Sequence, residues 1–451
     1  MSPARAMNIQ PALRRETFST SRLLDFCSER ELVKQIGHGV DQWPLVIFKE
    51  LTDNALDACE EAGIAPVINI DVGTEITITD NGPGIPPDTV AGILDFAVRV
   101  SSREAYASPT RGAQGNALKT IVAMAFALDG VKGETVIETQ GVKHTVIFKV
   151  DHVRQQPKIE HVRDASSVRN GTKVTVRWPV CACSKLAGAR AAFLQMAADL
   201  GWLNPHLALT VSWNRELCVD FKATDPNWIK WQPHHPTSAH WYDVARLRRL
   251  MGAYIARDQD HSRAPRTVRE FVSEFRGLSG SAKQKLVLEE SGAARLSLPD
   301  FFGNADRVNN AGVAKLLDAM KRQSRPVNPK DLGFIGKDHL AARFAAAGGN
   351  LETFRYRRAV GEADGIPDVI ETAFAWCPNG ADQRRIITGL NWSATIGNPF
   401  RSLGTYGESL DTILAEQRSG RDEPIIFILH VARPRIEYTD HGKTAVVIAG
   451  G

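Results

Sequence analysis

Three short stretches of this chain carry residue types that can act together on a phosphate ester. In the first, Phe48-Lys49-Glu50-Leu51-Thr52-Asp53-Asn54-Ala55-Leu56-Asp57-Ala58, the residues Glu50, Asn54 and Asp57 stand at i, i+4 and i+7. On a helix that spacing lines their polar ends along one narrow stripe, beside an apolar face of Ile47, Leu51, Ala55 and Ala58. The Glu50 carboxylate can orient and deprotonate a water, and the Asn54 carboxamide offers Mg2+ a neutral oxygen. The same spacing also fits an ordinary charged surface helix.

The second stretch ends in Asp80-Asn81-Gly82-Pro83-Gly84. Asp80 can accept a hydrogen bond from an exocyclic amine, and Gly82 and Gly84 let backbone approach a flat ring with no Cβ in the way. A plain hairpin turn uses the same residues. The third is Arg111-Gly112-Ala113-Gln114-Gly115-Asn116, followed by an apolar run from Ala117 to Leu128. Glycines leading into a helix expose N–H groups that favour anions, which suits a phosphate cradle. Lys119, one turn in, adds a charge to that cradle or caps a solvated face. Each stretch alone is weak; the three in this order are jointly specific.

The elements that must position them follow from periodicity. Val67 to Val72 and Glu75 to Asp80 alternate apolar and polar residues and read as two strands, so Asp80 sits at a strand end. The stretches around Glu50 and after Asn116 read as helices. This places a helix carboxylate, a strand-end carboxylate and a glycine-rich helix start around one site.

The combination resembles the GHKL ATP-binding fold of gyrase-type subunits, MutL, heat-shock chaperones, histidine kinases and MORC proteins. The resemblance implies Glu50 as general base, Asn54 on Mg2+, Asp57 at the nucleotide site and Asp80 on the adenine amine. It also implies Gly112, Ala113, Gln114, Gly115, Asn116 and Lys119 around the phosphates. Gly171-Thr172-Lys173-Val174 is similar to a later strand motif of that fold, which places Thr172 near the adenine. Residues from about Ala97 to Arg111, including Ser101, Ser102 and Arg103, would form the ATP lid. Within GHKL proteins the chain most resembles the B subunit of topoisomerase VI, a type IIB topoisomerase. The resemblance extends to a helix-two-turns-helix-like segment from Phe271 to Arg325, to the connector Arg325-Pro326-Val327-Asn328-Pro329 with its following Ile335-Gly336, and to transducer strands within Gln383 to Phe400 and Ile425 to Ile448. Lys443, in Asp440-His441-Gly442-Lys443-Thr444, falls where that family carries a lysine that reaches the γ-phosphate; a solvated turn lysine is the other reading. Ala117 replaces a glycine usual in the family loop. The chain ends at Gly451, ahead of a long transducer helix that the resemblance expects.

Composition agrees with such a plan. A length of 451 residues, with 43% hydrophobic and 24% charged residues, accommodates two to four ordinary globular domains. No apolar run approaches the ~20 residues of a membrane span. The basic stretch Met1 to Arg15 lacks the apolar core of a signal peptide, and the six cysteines offer one C-x-C and no metal-ligand spacing, so a cytoplasmic location is expected. Net charge is only +4, but Arg246 to Lys285 carries ten Lys or Arg against four Asp or Glu, a stripe that fits either sequence-independent phosphate contact or a solvated helical face.

The expected architecture is α/β (α+β): an N-terminal tail (1–17), a GHKL or Bergerat sandwich (18–232), a small helical helix-two-turns-helix-like domain (237–325) and a truncated α/β transducer-like domain (326–451). Trp-bearing Asn227 to Pro236 reads as a linker. The function implied is an ATPase subunit that uses ATP, Mg2+ and nucleotide-driven homodimerisation to gate DNA for a separate cleaving A-type subunit. The alternative is a stand-alone GHKL clamp or switch, MORC-like or defence-related, that cuts nothing.

Overall fold

Along β1 (Val67–Val72) exposed and buried residues alternate, with Ile68, Ile70 and Val72 turned inward. A strand with one covered face has this period of two. Strand β2 (Glu75–Asp80) closes the hairpin antiparallel, setting Ile70 opposite Ile78 and Ile68 opposite Asp80. In the computed structural model, which describes residues 28–94, 106–111, 117–151, 156–260, 262–304, 307–403, 407–438 and 445–447, this hairpin is the middle of an eight-stranded sheet. Its other strands are β3 (Gly133–Thr139), β4 (Val142–Asp151), β5 (Gln156–Ala165), β6 (Thr172–Arg177), β7 (Ala208–Trp213) and β8 (Glu216–Phe221). The order is β5-β4-β3-β6-β2-β1-β7-β8, with β1 and β7 parallel and the other neighbours antiparallel.

Helices cover the inward face. They are α1 (Glu29–Ile36), α2 (Trp43–Glu61), α4 (Ala117–Asp129), α5 (Cys183–Gly188) and α6 (Arg190–Leu203), while α3 (Pro87–Ile93) follows the Asp80–Gly84 turn. Pro44 lies in the first turn of α2, where its missing N–H leaves no helical bond unmade. Ile47, Phe48, Leu51 and Leu56 are buried beneath it, and the Phe48 and Phe193 rings lie 4.5 Å apart. Each such side chain contributes about 1.5–3 kcal/mol by leaving water. That packing fixes α2 along the sheet.

The next segment is helical: α7 (Val244–Asp260), α8 (Val268–Ser273), α9 (Ser281–Ser291), α10 (Leu298–Phe302) and α11 (Asn310–Gln323), with a minimal hairpin of β9 (Gly303–Asn304) and β10 (Arg307–Val308). Thr267 and Glu270 form a reciprocal capping box, and Ser297 and Asn309 cap α10 and α11. Each cap stabilises its helix start by about 1 kcal/mol.

Asn227 to Pro236, which joins the large sheet to the helical segment, is partly buried. Trp231 is 1% exposed and Lys230 is 4% exposed. The Trp231 amide donates to Leu332 at 2.8 Å, and the Trp228 indole donates to Phe334 at 2.8 Å, so the stretches of chain before and after the helical segment run side by side. Gly333 has φ +92°, and a Cβ there would sit 2.8 Å from the Lys230 Cα, so this close approach requires glycine.

The last segment contains α12 (Lys337–Ala346), β11 (Arg355–Ala363), β12 (Ile366–Trp376), β13 (Arg385–Leu390), β14 (Ser393–Ala394), α13 (Leu410–Glu416) and β15 (Ile425–Ala432), followed by the short pair β16 (Glu437–Tyr438) and β17 (Val446–Val447). The sheet order is β11-β12-β15-β13-β14. Strands within 383–400 and 425–448 are as anticipated; the β11–β12 hairpin is additional. Its turn, Asp364-Gly365, has φ of 53° and 78°, and Asp-Gly between alternating residues is the sequence signal that marks it. Helix α6 packs against both sheets, and one apolar core runs from α2 through α6 to Ile387 and Ile428. The whole is a mixed α/β structure with a large helix-backed sheet and a second, smaller sheet. No helix among the described residues is long and apolar enough to cross a membrane.

Candidate nucleotide site

At the end of β2, Asp80 directs one oxygen into the protein. Oδ1 accepts the Gly82 amide at 2.8 Å and the Thr172 amide at 3.1 Å, while nothing among the described residues donates to Oδ2. Burial raises the Asp80 pKa and these two amides oppose it. The start of β6 comes this close because Gly171 has φ +75° and a Cβ there would lie 1.9 Å from the Asp80 carbonyl oxygen. The Gly171 amide donates to the Gly82 carbonyl at 2.8 Å, and Asn81 ties the turn down by accepting from Val67 and donating to Ala65. The structure thus brings Asp80, Gly82 and Thr172 together. Gly82 and Gly84 use their bareness against the protein: a Cβ would be 3.2 Å from Cys59 Sγ at Gly82 and 2.7 Å from Thr139 Oγ1 at Gly84. Burial pushes the Cys59 thiol up to about 12, which keeps it neutral.

Across the sheet, α2 separates the expected stripe. Glu50 is half-buried and Asn54 exposed, whereas Asp57 is fully buried. With about 100° of turn per residue, Asp57 lies only about 20° from Glu50, but on the side of Asp53 and Glu60. Arg111 draws it inward, with Nη1 at 2.8 Å from Asp57 Oδ1. The second stripe is therefore Lys49, Asp53, Asp57 and Glu60. Arg111 also donates to Glu60 and, at 2.5 Å, to Asn204, while Lys230 lies 2.7 Å and His206 2.9 Å from Glu60. Burial alone would raise the Glu60 pKa, but Arg111 and Lys230 outweigh it and hold the carboxyl well below its usual range. Burial lowers Lys230. Arg111, the first residue of the glycine-rich stretch, is thus an anchor in the core. Lys119 is 2% exposed, so it does not cap a solvated face. Gly112, Ala113, Gln114, Gly115, Asn116, Ser101, Ser102, Arg103 and Lys443 lie outside the described residues.

Residues 39–181 match the family described as histidine kinase-, DNA gyrase B-, and HSP90-like ATPases. These residues form a GHKL ATPase domain. Over 422 residues, the domain included, the chain is 24% identical to the B subunit of type 2 DNA topoisomerase 6 from Archaeoglobus fulgidus, an alignment that covers 89% of this chain and 66% of that protein. Over 153 residues it is 33% identical to the corresponding protein of Natronomonas pharaonis, covering 31% of this chain and 19% of that one. Over 120 residues it is 32% identical to the corresponding protein of Pyrococcus horikoshii, covering 25% and 21%. The chain thus spans just under two thirds of the Archaeoglobus relative's length.

The second sheet inserts a turn into the GHKL domain. Asn391 and Trp392, between β13 and β14, have φ of 51° and 63°, and the Trp392 side chain is fully buried. Asn204 donates to the Trp392 carbonyl at 2.9 Å, and Ser393 Oγ donates to Asp53 Oδ2 at 2.6 Å. Lys49 donates to the same Asp53 oxygen at 2.6 Å and to Ser393 Oγ. Behind the turn, the Trp392 amide donates to His430, whose Nδ1 lies 3.2 Å from the buried Glu371. Glu371 also accepts the amides of Ile335 and Gly336, which pins the end of the connector. Sequence reasoning missed this joint. Its only local trace in the sequence is the i, i+4 spacing of Lys49 and Asp53, since Ser393 is far away in the chain.

A metal fits the site in a restricted way. No group of three or more His, Cys, Asp or Glu among the described residues is arranged to hold one. The exposed Asn54 carboxamide could offer one neutral oxygen, which suits a Mg2+ that keeps phosphate oxygens and waters as its other ligands.

Proposed function

We propose that this chain binds and hydrolyses ATP as the nucleotide-driven subunit of a type IIB topoisomerase-like assembly, dimerising around DNA that a separate subunit cuts. One observation carries the reading: the alignment with the B subunit of type 2 DNA topoisomerase 6 runs through 422 residues, past the GHKL domain and across the helical segment into the second sheet. A nucleotide fold alone would not require that agreement. In this reading the chain comprises the ATPase domain (18–232), the helix-two-turns-helix-like domain (237–325) and the transducer-like domain (326–451).

Asp80 Oδ2 would accept the adenine amine, its direction set by the amides of Gly82 and Thr172 on Oδ1. Residues 112–116 and Lys119 would surround the phosphates, with Arg111 anchoring the loop in the core and Ser101 and Ser102 in the lid. Mg2+, when bound, neutralises charge on the terminal phosphates. Asn54 would give it an oxygen, Glu50 would orient and deprotonate the attacking water, and Lys443 would stabilise charge on the transferred phosphoryl group. Arg248, Arg249, Arg257, Arg263, Arg269, Lys283 and Lys285 are exposed, which supports sequence-independent contact with DNA phosphates.

The test is whether the purified chain turns over ATP and whether a non-hydrolysable analogue makes it a dimer that retains closed circular DNA in high salt. Absence of turnover overturns the ATPase reading. Turnover without retention overturns the DNA gate.

A further inference from the structure

The polar cluster on α2 that joins it to the second sheet begins one residue before Glu50. Lys49 is held by two acceptors, Asp53 Oδ2 at 2.6 Å and Ser393 Oγ, and Ser393 closes the triangle by donating to the same Asp53 oxygen at 2.6 Å. Asp53 is 3% exposed, and its Oδ1 has no hydrogen-bond partner among the described residues. A buried carboxylate with one unpartnered oxygen depends heavily on what reaches the other. Here those donors are a lysine of the GHKL domain and a hydroxyl of the second sheet. Tyr438 of β16 completes the surroundings: burial raises its phenol, and it also feels the charges of Lys49, Asp53 and Glu50.

We infer that Ser393 is a positioning residue for ATP hydrolysis, acting through Lys49 and Asp53 on the turn of α2 that carries Glu50. The inference rests on the ATPase reading above. A lysine side chain has about 2 kcal/mol of rotamer entropy and three donors, so a single carboxylate one turn away does not fix it. The second tether does. Lys49 already senses the Glu50 charge from its tethered position. With Ser393 removed, Lys49 keeps only Asp53 and gains freedom to swing toward the neighbouring Glu50, which would engage the carboxylate that the attacking water needs. The β13–β14 turn therefore keeps the base unengaged while it is docked. The adenine contacts at Asp80 and Thr172 are made by other elements, so nucleotide affinity is unaffected.

The experiment compares steady-state ATP turnover of the full chain with Ser393→Ala, the near-isosteric Ser393→Cys, Lys49→Met and the Ser393→Ala/Lys49→Met double variant. Affinity for a non-hydrolysable ATP analogue is measured by calorimetry. The expected result is a kcat loss of about tenfold in both Ser393 variants, KM and analogue affinity within about twofold of wild type, and a double variant no slower than Lys49→Met alone. Unchanged kcat in the Ser393 variants overturns the inference. So does a raised KM with kcat preserved, or additive losses in the double variant. If wild type turns over ATP and Glu50→Ala does not, those outcomes sink the role of Ser393 alone. A wild type without turnover sinks the ATPase reading and this one with it.

Discussion

The two sides of α2 carry the same residue types and do opposite things with them. On one side the Glu50 and Asn54 side chains make no hydrogen bond among the described residues, and Asn54 is exposed. On the other, Asp53, Asp57 and Glu60 are buried and each faces a named cation: Lys49, Arg111, and Arg111 with Lys230. A few tens of degrees of helix rotation separate a carboxylate left open from carboxylates committed to holding three chain segments together. Catalysis needs the first kind, because a base whose lone pairs are taken cannot accept a proton. A precise site needs the second kind, because the first residue of the glycine-rich stretch and Lys230 of the Asn227–Pro236 segment both end in that buried cluster.

The largest effect should come from breaking the committed side. Glu60→Ala leaves Arg111 and Lys230 buried with one acid fewer, and loss of one partner of a buried ion pair costs about 3–5 kcal/mol. Urea unfolding should show that loss in the midpoint with little change in slope. A loss under about 1 kcal/mol would mean that water reaches the cluster, and the contrast between the two sides would fail.

Glu50→Ala tests the open side. Turnover should fall by roughly 100-fold, the scale of a lost general base, while stability stays within about 0.5 kcal/mol because no hydrogen bond is lost. ATP binding should be nearly intact by calorimetry. Wild-type-like turnover would remove Glu50 from the chemistry.

Why the sequence separates these two sides only in part is a matter of geometry. Periodicity finds the helix and its apolar face because burial repeats every 3.6 residues, and it finds β1 and β2 because theirs repeats every two. Asp57 sits on the boundary between stripes, and which way it leans is decided by Arg111, a residue 54 positions away. Lys230 and His206 reach Glu60 from still further along the chain, and the composition of Asn227 to Pro236 suggests a linker when two of its side chains are core. Asp80 was legible because strand-end carboxylates before glycines are local patterns. The Thr172 amide that orients it arrives through a tertiary approach that only Gly171 permits. The domain-joining turn at Asn391-Trp392-Ser393 has no local signature beyond its Asn.

Asp80→Asn sharpens the comparison at a third carboxylate, one half committed and half open. The carboxamide can keep an oxygen on the amides of Gly82 and Thr172, but it then turns its NH2 toward the position of Oδ2. A donor facing the adenine amine replaces an acceptor, and ADP affinity should fall about tenfold by calorimetry. Unchanged affinity would remove Asp80 from the adenine contact and leave it as a turn-holding residue only.

The smallest expected effect is a pH dependence of the committed side. His206 Nε2 lies 2.9 Å from the Glu60 carboxylate and must carry the proton there, while its Nδ1 is buried without a hydrogen-bond partner among the described residues. Burial, with Arg111 and Lys230 nearby, lowers the His206 pKa despite the pull of Glu60. Below its unfolded value near 6.5 the unfolded chain therefore takes up a proton that the folded chain refuses, so stability falls as pH drops and is regained as pH rises through that value. Other histidines with lowered pKa values tilt the same curve, notably His339, lowered to about 4. The informative quantity is thus a difference: His206→Gln, which keeps a donor for Glu60 but does not titrate, should gain stability relative to wild type between pH 6.5 and 5.5, by at most about 1 kcal/mol. Parallel stability curves for the two proteins over that range would mean that His206 accepts its second proton in the folded state. The buried side of α2 would then be open to solvent after all, and its distinction from the Glu50 side would be one of degree.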